Sequence, residues 1–234
     1  MASSTQQELD HTIYDLRKKM ARISGKTSTP ESFQSRVVDT LPSPPWLEQA
    51  IDTGGIPRAM VTAVADCPAV HVDLLVAATQ AGSCVAIVGY PQLALAAIDA
   101  AGGDLERVVV IPDPAPHAAA VLGTLVEGVD MVFYRPAANA SPTFARPVEA
   151  RLHKSRCALV VSGHAWPKVQ LNIDAHVVGI RGLGRGYGRV RGVEVDGRVW
   201  GKSQPPRRFH AVVGERMDVV SLSDATSELQ EMAR

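Results

Sequence analysis

The sequence predicts an α/β fold: a parallel sheet flanked by helices, extended by C-terminal antiparallel strands and preceded by an N-terminal helix. Three observations predict it. Five short apolar runs between residues 60 and 163 alternate with segments that carry apolar residues at helical spacing. The runs are apolar throughout, as strands covered on both faces are. After residue 170 the helical period disappears, and glycine-broken stretches of alternating apolar residues take its place.

The elements follow in order. In residues 6–24, Leu9, Ile13, Leu16, Met20 and Ile23 recur at spacings of four and three, a stripe of about two heptads. A helix of that length is marginal alone, so it must pack on its own core or on a neighbouring protomer. Residues 25–45 are rich in Ser, Thr and Pro and read as a linker, with one apolar segment around Val37 and Val38. "SGKTS" at 24–28 resembles the end of a phosphate-binding loop. The motif needs Gly where Met20 stands, and it must follow a strand rather than a helix. The core is expected over 46–215. Its strands are MVTAVA (60–65), CVAIVG (84–89), RVVVIPD (107–113), MVFYRP (131–136) and ALVVSG (158–163). Helical segments lie between them, several ending in Gly as a helix C-cap does. HVVGIRG, GRVRGVEVDGRVWGK and RRFHAVVGE supply the antiparallel strands. "VEVDGRVW" places Asp196-Gly197 between alternating apolar residues, which predicts a hairpin turn there. "SQPPRR" predicts the next turn. Residues 216–234 read as a polar tail; Val219, Val220, Leu222, Leu229 and Met232 are candidate apolar anchors for a partner, the alternative being a tail that folds back over the sheet edge.

Composition narrows the function. The 24 basic and 24 acidic residues cancel, so no global positive field recruits nucleic acid. Between 181 and 208, however, eight basic residues face only Glu194 and Asp196. Arg181, Arg185, Tyr187, Arg189, Arg191, Lys202, Arg207 and Arg208 are therefore candidate DNA contacts along a phosphate backbone. A compositional reading stays open, because arginine outnumbers lysine 18 to 6 throughout. Cys67, Cys84 and Cys157 show no C-x-x-C spacing and read as buried reduced thiols. The seven histidines are dispersed and form no metal-binding pattern. Ser162 near His164 lacks the G-x-S-x-G context of a nucleophile. The N-terminus lacks the apolar centre of a signal peptide, and no uncharged run of about 18 apolar residues occurs. The expectation is a soluble cytoplasmic protein with no membrane span, no metal and no cofactor.

Two stretches carry a resemblance to a known family. "DTGGIPRAMVTAV" (52–64) is similar to the entry into the first core strand of RecA-type proteins. "GGDLERVVVIPDPAPHAAAVLGTLVEGVDMVFYRP" (102–136) is similar to their strand, helix and Walker B strand. The chain resembles the RecA-derived ImuA / ImuA-prime family of bacterial mutagenesis factors, from about Trp46 to Gly214. The resemblance implies a RecA-like core with a phosphate loop after the first strand. This sequence departs from it in three places. ADCPAVHVD (65–73) has neither Gly nor Lys, and Pro68 removes a donor. The Walker B strand ends in Arg135 rather than Asp. Tyr90 stands where a water-activating glutamate belongs. Asp66, Cys67, Pro68, His71, Tyr90 and Arg135 thus mark a degenerate nucleotide site, and no catalytic residue is expected.

The function implied by the resemblance is a non-catalytic adaptor in DNA-damage-induced, error-prone translesion synthesis. Its implied partner is an ImuB-like inactive Y-family polymerase homologue, and through it an error-prone C-family polymerase. Homo-oligomerisation and recruitment to the nucleoid are compatible with this. Two alternatives remain at this stage: a RecA paralogue that binds single-stranded DNA or forks directly, and an ATPase with an unconventional site.

Overall fold

The computed structural model describes residues 39–184 and 187–214. Leu9, Ile13, Leu16, Met20 and Ile23 of the expected leading helix lie outside the described residues. So do Arg185, the side chain of Tyr187 and the tail anchors Val219, Val220, Leu222, Leu229 and Met232. The chain divides into two units at Val38/Asp39. The folded core therefore begins earlier than Trp46, the boundary expected from composition. Leu41 and Ser43 are buried, and β1 (Thr40–Leu41) pairs antiparallel with β2 (Ile56–Pro57).

The remaining elements are α1 (Pro45–Glu48), β3 (Val61–Val64), α2 (Pro68–Gln80), β4 (Val85–Val88), α3 (Leu95–Ala100), a 3-10 turn (Leu105–Arg107), β5 (Val108–Ile111), α4 (Ala118–Gly128), β6 (Met131–Tyr134), α5 (Pro142–Leu152), β7 (Ala158–Ser162), β8 (Leu171–Gly184), β9 (Tyr187–Gly201) and β10 (Arg207–Val213). One eight-stranded sheet has the order β10-β9-β8-β3-β7-β6-β4-β5. From β8 to β5 every pairing is parallel, while β9 and β10 continue the sheet antiparallel. This is an α/β architecture consistent with a RecA-like core, as expected.

Apart from the edge strand β5, where Val109 is exposed, the apolar strands are covered on both faces, with a period of two. Val85, Ile87, Met131 and Phe133 pack with α1, α2, α3 and the antiparallel strands. Their neighbours Ala86, Val88, Val132 and Tyr134 pack with α4 and α5 on the other face. Glycine stops two of the helices: Gly82 follows α2 with φ 84° and Gly102 follows α3 with φ 85°, a region only glycine enters without strain. Pro68 opens α2 and Pro142 opens α5, each where a missing N–H costs no hydrogen bond. Ser141 accepts from the Phe144 amide at 3.2 Å and caps α5.

The hairpin turn expected at Asp196-Gly197 is not there. β9 runs straight through both residues, and the chain reverses instead between Gly184 and Tyr187 and between Gly201 and Arg207. Gly197 has a packing role. It lies between Ala175 and Phe209 across the ladders, and a Cβ there would collide with the Asp174 carbonyl oxygen and the Phe209 ring. Phe209 in turn lies 5.0 Å from the Trp46 ring, which fixes α1 on the antiparallel strands. Gly197→Ala is expected to destabilise the protein by about 1–3 kcal/mol through overpacking. Thermal unfolding followed by circular dichroism should show a fall of roughly 2–4 °C per kcal/mol; an unchanged midpoint would contradict this account of Gly197.

Candidate functional site

Helices α2 and α3, which follow β3 and β4, lie on one face of the sheet; α4 and α5, which follow β5 and β6, lie on the other. The carboxyl ends of β3, β4, β6 and β7 therefore meet where the connections diverge, which is where open α/β sheets form their crevice. Asp66, Cys67, Pro68, His71, Tyr90 and Arg135, scattered over 70 positions of sequence, converge there.

No phosphate-sized loop separates β3 from α2. The Ala65 amide donates to the Ile173 carbonyl at 2.8 Å, the Cys67 amide donates to the Ala65 carbonyl at 2.8 Å, and the helix starts at Pro68. Beneath this turn His71 is fully buried. Its Nε2 lies 2.7 Å from the Ala65 carbonyl and 2.9 Å from Ser162 Oγ; its Nδ1 lies 3.2 Å from the Tyr90 hydroxyl. A carbonyl only accepts, so Nε2 carries the proton and Nδ1 accepts from Tyr90. Burial holds the imidazole below its ordinary pKa, against the Ala65 carbonyl and the Asp66 charge, which favour the charged form. Burial also raises the Tyr90 phenol, so its hydroxyl stays protonated as a donor. Sequence reasoning set Ser162 beside His164. The structure sets it beside His71, 91 positions away, and leaves His164 exposed. The Ser162–His71 contact is no nucleophile–base pair, because both side chains are sealed from solvent and the Nε2 proton is committed to Ala65.

Above the buried layer, Arg135 Nη2 donates to Asp66 Oδ2 at 2.6 Å, and the guanidinium lies 5.0 Å from the Tyr90 ring centroid. The Asp66 hydrogen bond raises the already high Arg135 pKa, so this cation is permanent. A groove of about 790 Å³ opens beside the pair, between α2, α3 and the antiparallel strands. Asp73 stands in its wall, accepting from Trp46 Nε1 at 2.7 Å. Burial pushes the Asp73 carboxyl above its usual range, opposed by Trp46 and the Gly214 amide. The sequence shows Asp73 only as an acidic residue unsuited to a phosphate loop and gives no sign of the groove, because α2, α3 and β10 meet only in the fold.

The candidate DNA contacts do not form one surface. Arg189 and Arg191 are exposed on the far half of the β8–β9 ribbon, while Lys202, Arg207 and Arg208 sit at its near end. Ten residues of strand separate Arg191 from Gly201, about 33 Å at the usual rise. Arg181 pairs with Glu194 at 2.7 Å, Arg207 with Asp52 at 2.7 Å, and Arg198 with Asp174 at 3.4 Å. The local charge excess is thus divided and partly neutralised. Of the cysteines, Cys67 and Cys157 are buried as expected, the Cys157 thiol being pushed up to about 12 by burial; Cys84 is exposed, because β4 starts one residue after it. Among the described residues no helix is long and apolar enough to cross a membrane, and no group of His, Cys, Asp or Glu is placed to hold a metal ion.

Fold and site together define an α/β protein with a RecA-like sheet and a crevice closed by its own ion pair. Residues 49–168 match the model of the MT3502 N-terminal domain. The chain is also 31% identical over 196 residues to the uncharacterized protein Rv3395c of Mycobacterium tuberculosis, covering 80% of this chain and 91% of that one. The chain belongs to the family of the MT3502 N-terminal domain.

The buried imidazole gives a pH test. His71 binds a proton less readily folded than unfolded, so its contribution is complete above about pH 6.5, its unfolded pKa. It is lost as pH falls below that value through the lower folded pKa. Urea unfolding at pH 7.5 and 5.5 should show wild type weakening with acidity, and His71→Gln weakening less. Equal pH dependence in the two would mean that His71 is not held neutral.

Proposed function

We propose that this protein is a non-catalytic, RecA-like adaptor of the ImuA / ImuA-prime type, acting in DNA-damage-induced, error-prone translesion synthesis. Its partner on this reading is an ImuB-like inactive Y-family polymerase homologue, which links it to an error-prone C-family polymerase. The observation that carries the reading is the Arg135–Asp66 ion pair at the carboxyl ends of β6 and β3. A nucleotide site needs donors free to meet phosphate and a carboxylate free to meet magnesium. Here donor and carboxylate neutralise each other, Pro68 opens α2, and no lysine stands in the turn. This supports retention of the fold for binding.

Thermal unfolding with millimolar ATP and magnesium tests the non-catalytic part. A ligand at 100 times its Kd stabilises a native protein by about 2.7 kcal/mol, and no shift is expected here. A rise of several degrees would favour the ATPase alternative. The partner part is tested by Leu229→Asp with Met232→Asp. Capture of the ImuB-like protein should fall at least about tenfold while melting is unchanged; undiminished capture would move the partner surface off the C-terminal segment.

One observation favours a second reading, direct binding of single-stranded DNA: Arg189 and Arg191 are exposed on a two-stranded ribbon that projects past β10. Each phosphate contact on a single strand contributes about 0.7 to the slope of log affinity against log salt. Arg189→Ala and Arg191→Ala should each lower it by that amount. Absence of binding at low salt would leave the adaptor reading alone.

A further inference from the structure

Away from the crevice, the three antiparallel strands share a polar face. Ala175, Val195, Val199, Ala211 and Val213 turn toward the core, so their neighbours in β8, β9 and β10 turn the other way. The apolar cluster on that second face takes in α4 and α5 and includes no residue of β8, β9 or β10. His176, Arg198, Arg208 and His210 are exposed there, and Asp174 and Asp196 are half-buried. The antiparallel register sets these six side chains in two rows. Asp196 lies opposite His176 on one side and His210 on the other; Arg198 lies opposite Asp174 and Arg208. Adjacent strands are about 4.8 Å apart, so about 10 Å separates the backbones of the two histidines. A cavity of about 580 Å³ opens over both rows.

The bonding within the rows leaves donors unused. His210 Nδ1 donates to Asp196 Oδ1 at 2.6 Å, since a carboxylate only accepts, and Nε2 is left for another partner. His176 and Arg208 form no ion pair or side-chain hydrogen bond among the described residues. Arg198 is fixed in place, 3.4 Å from Asp174 and 4.6 Å from the centroid of the Trp200 ring. The next charges on this face, Arg181 and Glu194, pair with each other at 2.7 Å. With both histidines neutral, Arg198 and Arg208 balance Asp174 and Asp196. Protonation of both gives the patch an excess of two positive charges and two further N–H donors. Histidine is the side chain that changes charge between pH 5 and 8. Donors then converge from three strands, an arrangement that suits the several oxygens of a tetrahedral anion. The gap between the histidines accepts one phosphate with a charge-assisted hydrogen bond of about 2.8 Å on each side. The cavity is larger than a free ion needs and leaves room for a chain on either side of the phosphate.

We propose that this face of β8, β9 and β10 is a proton-linked phosphate site, in which Arg208, His176 and His210 hold a phosphodiester of a single-stranded nucleic acid. The proposal deepens the second reading above and rests on it for the nature of the ligand. It sets the contact at the base of the antiparallel strands rather than on the projecting ribbon, and it makes binding depend on pH.

The test is calorimetric titration of the full chain with an oligothymidylate that carries no terminal phosphate. A phosphomonoester loses its second proton near pH 6; a diester does not titrate there, so a pH effect reports the protein. Affinity should rise at least about tenfold from about pH 8 to about pH 6, within the limit of about tenfold per pH unit for each histidine that proton linkage sets. Near pH 6.5, about the middle of that range, titrations in two buffers of different ionisation enthalpy should register proton uptake. His176→Gln/His210→Gln should abolish both effects with melting unchanged, since both side chains are exposed. Arg208→Ala should weaken binding at both pH values, while Arg189→Ala/Arg191→Ala should keep the pH dependence. Binding that does not vary with pH and is lost in Arg189→Ala/Arg191→Ala overturns the proposal and leaves the second reading standing. PH dependence that survives in the histidine double variant also overturns it, and no binding at either pH overturns both.

Discussion

A neutral imidazole joins the carboxyl ends of three strands, and the geometry of the site depends on it. His71 hydrogen-bonds Ala65 at the end of β3, Tyr90 after β4 and Ser162 in β7. Each of those groups is buried or half-buried. The Ala65 carbonyl also accepts from the Cys67 amide at 2.8 Å and from Ser162 Oγ at 3.4 Å, so the Tyr90 hydroxyl depends most on the imidazole. An unpaired buried polar group costs about 1–3 kcal/mol, and a substitution at residue 71 exposes Tyr90 to that cost. The network also explains the abrupt start of α2. His71 reaches Ala65 only if the helix begins within a residue or two of the strand end, which leaves no length for a loop around a phosphate. The ring is further enclosed by Phe133, 5.0 Å away, so the polar cluster is continuous with the apolar core.

The ion pair is the outer counterpart of this arrangement. Arg135 and Asp66 are each partly exposed, and exposed pairs contribute little to stability. Their consequence is electrostatic: the crevice presents neither a free cation to an anion nor a free carboxylate to a metal ion. Tyr90 links the layers, with its ring under the guanidinium and its hydroxyl on His71. Groups of the chain itself thus pair most of the polar atoms at this end of the sheet, although the buried Arg135 Nε has no partner among the described residues.

Much of the fold was legible in the sequence because parallel strands buried on both faces leave uninterrupted apolar runs. All five such runs became strands. The reading failed where one residue type serves two purposes. Asp-Gly reads as a turn because glycine enters it freely, but Gly197 is small for the sake of the Phe209 ring. Residues 39–45 read as linker because Ser and Pro dominate, yet Leu41 and Ser43 are buried. At the site, the residue types were legible one by one as departures from a phosphate-binding pattern. Their pairing was not, since Arg135 with Asp66 and His71 with Ser162 are contacts across 69 and 91 positions. The spread of the arginines was not legible for the opposite reason: residues close in sequence lie far apart along an extended strand.

The family match places the halves of the groove in different parts of the chain. Residues 49–168 contain β3 to β7, the whole His71 network and the ion pair. Val193 on β9, Val213 on β10 and Gly214 just after it, which complete the groove, lie beyond it. Besides the shared apolar core, the antiparallel strands are held to the parallel half by the β3–β8 ladder, by Trp46 against Phe209, and by Gln204 bonded to the Asp52 amide at 2.9 Å and the Ala50 carbonyl at 2.7 Å. Two of these run through the segment around α1, and Trp46 also bonds Asp73 in the groove wall. The width of the groove is thus set through α1, which touches both of its sides, while the buried imidazole keeps the floor fixed.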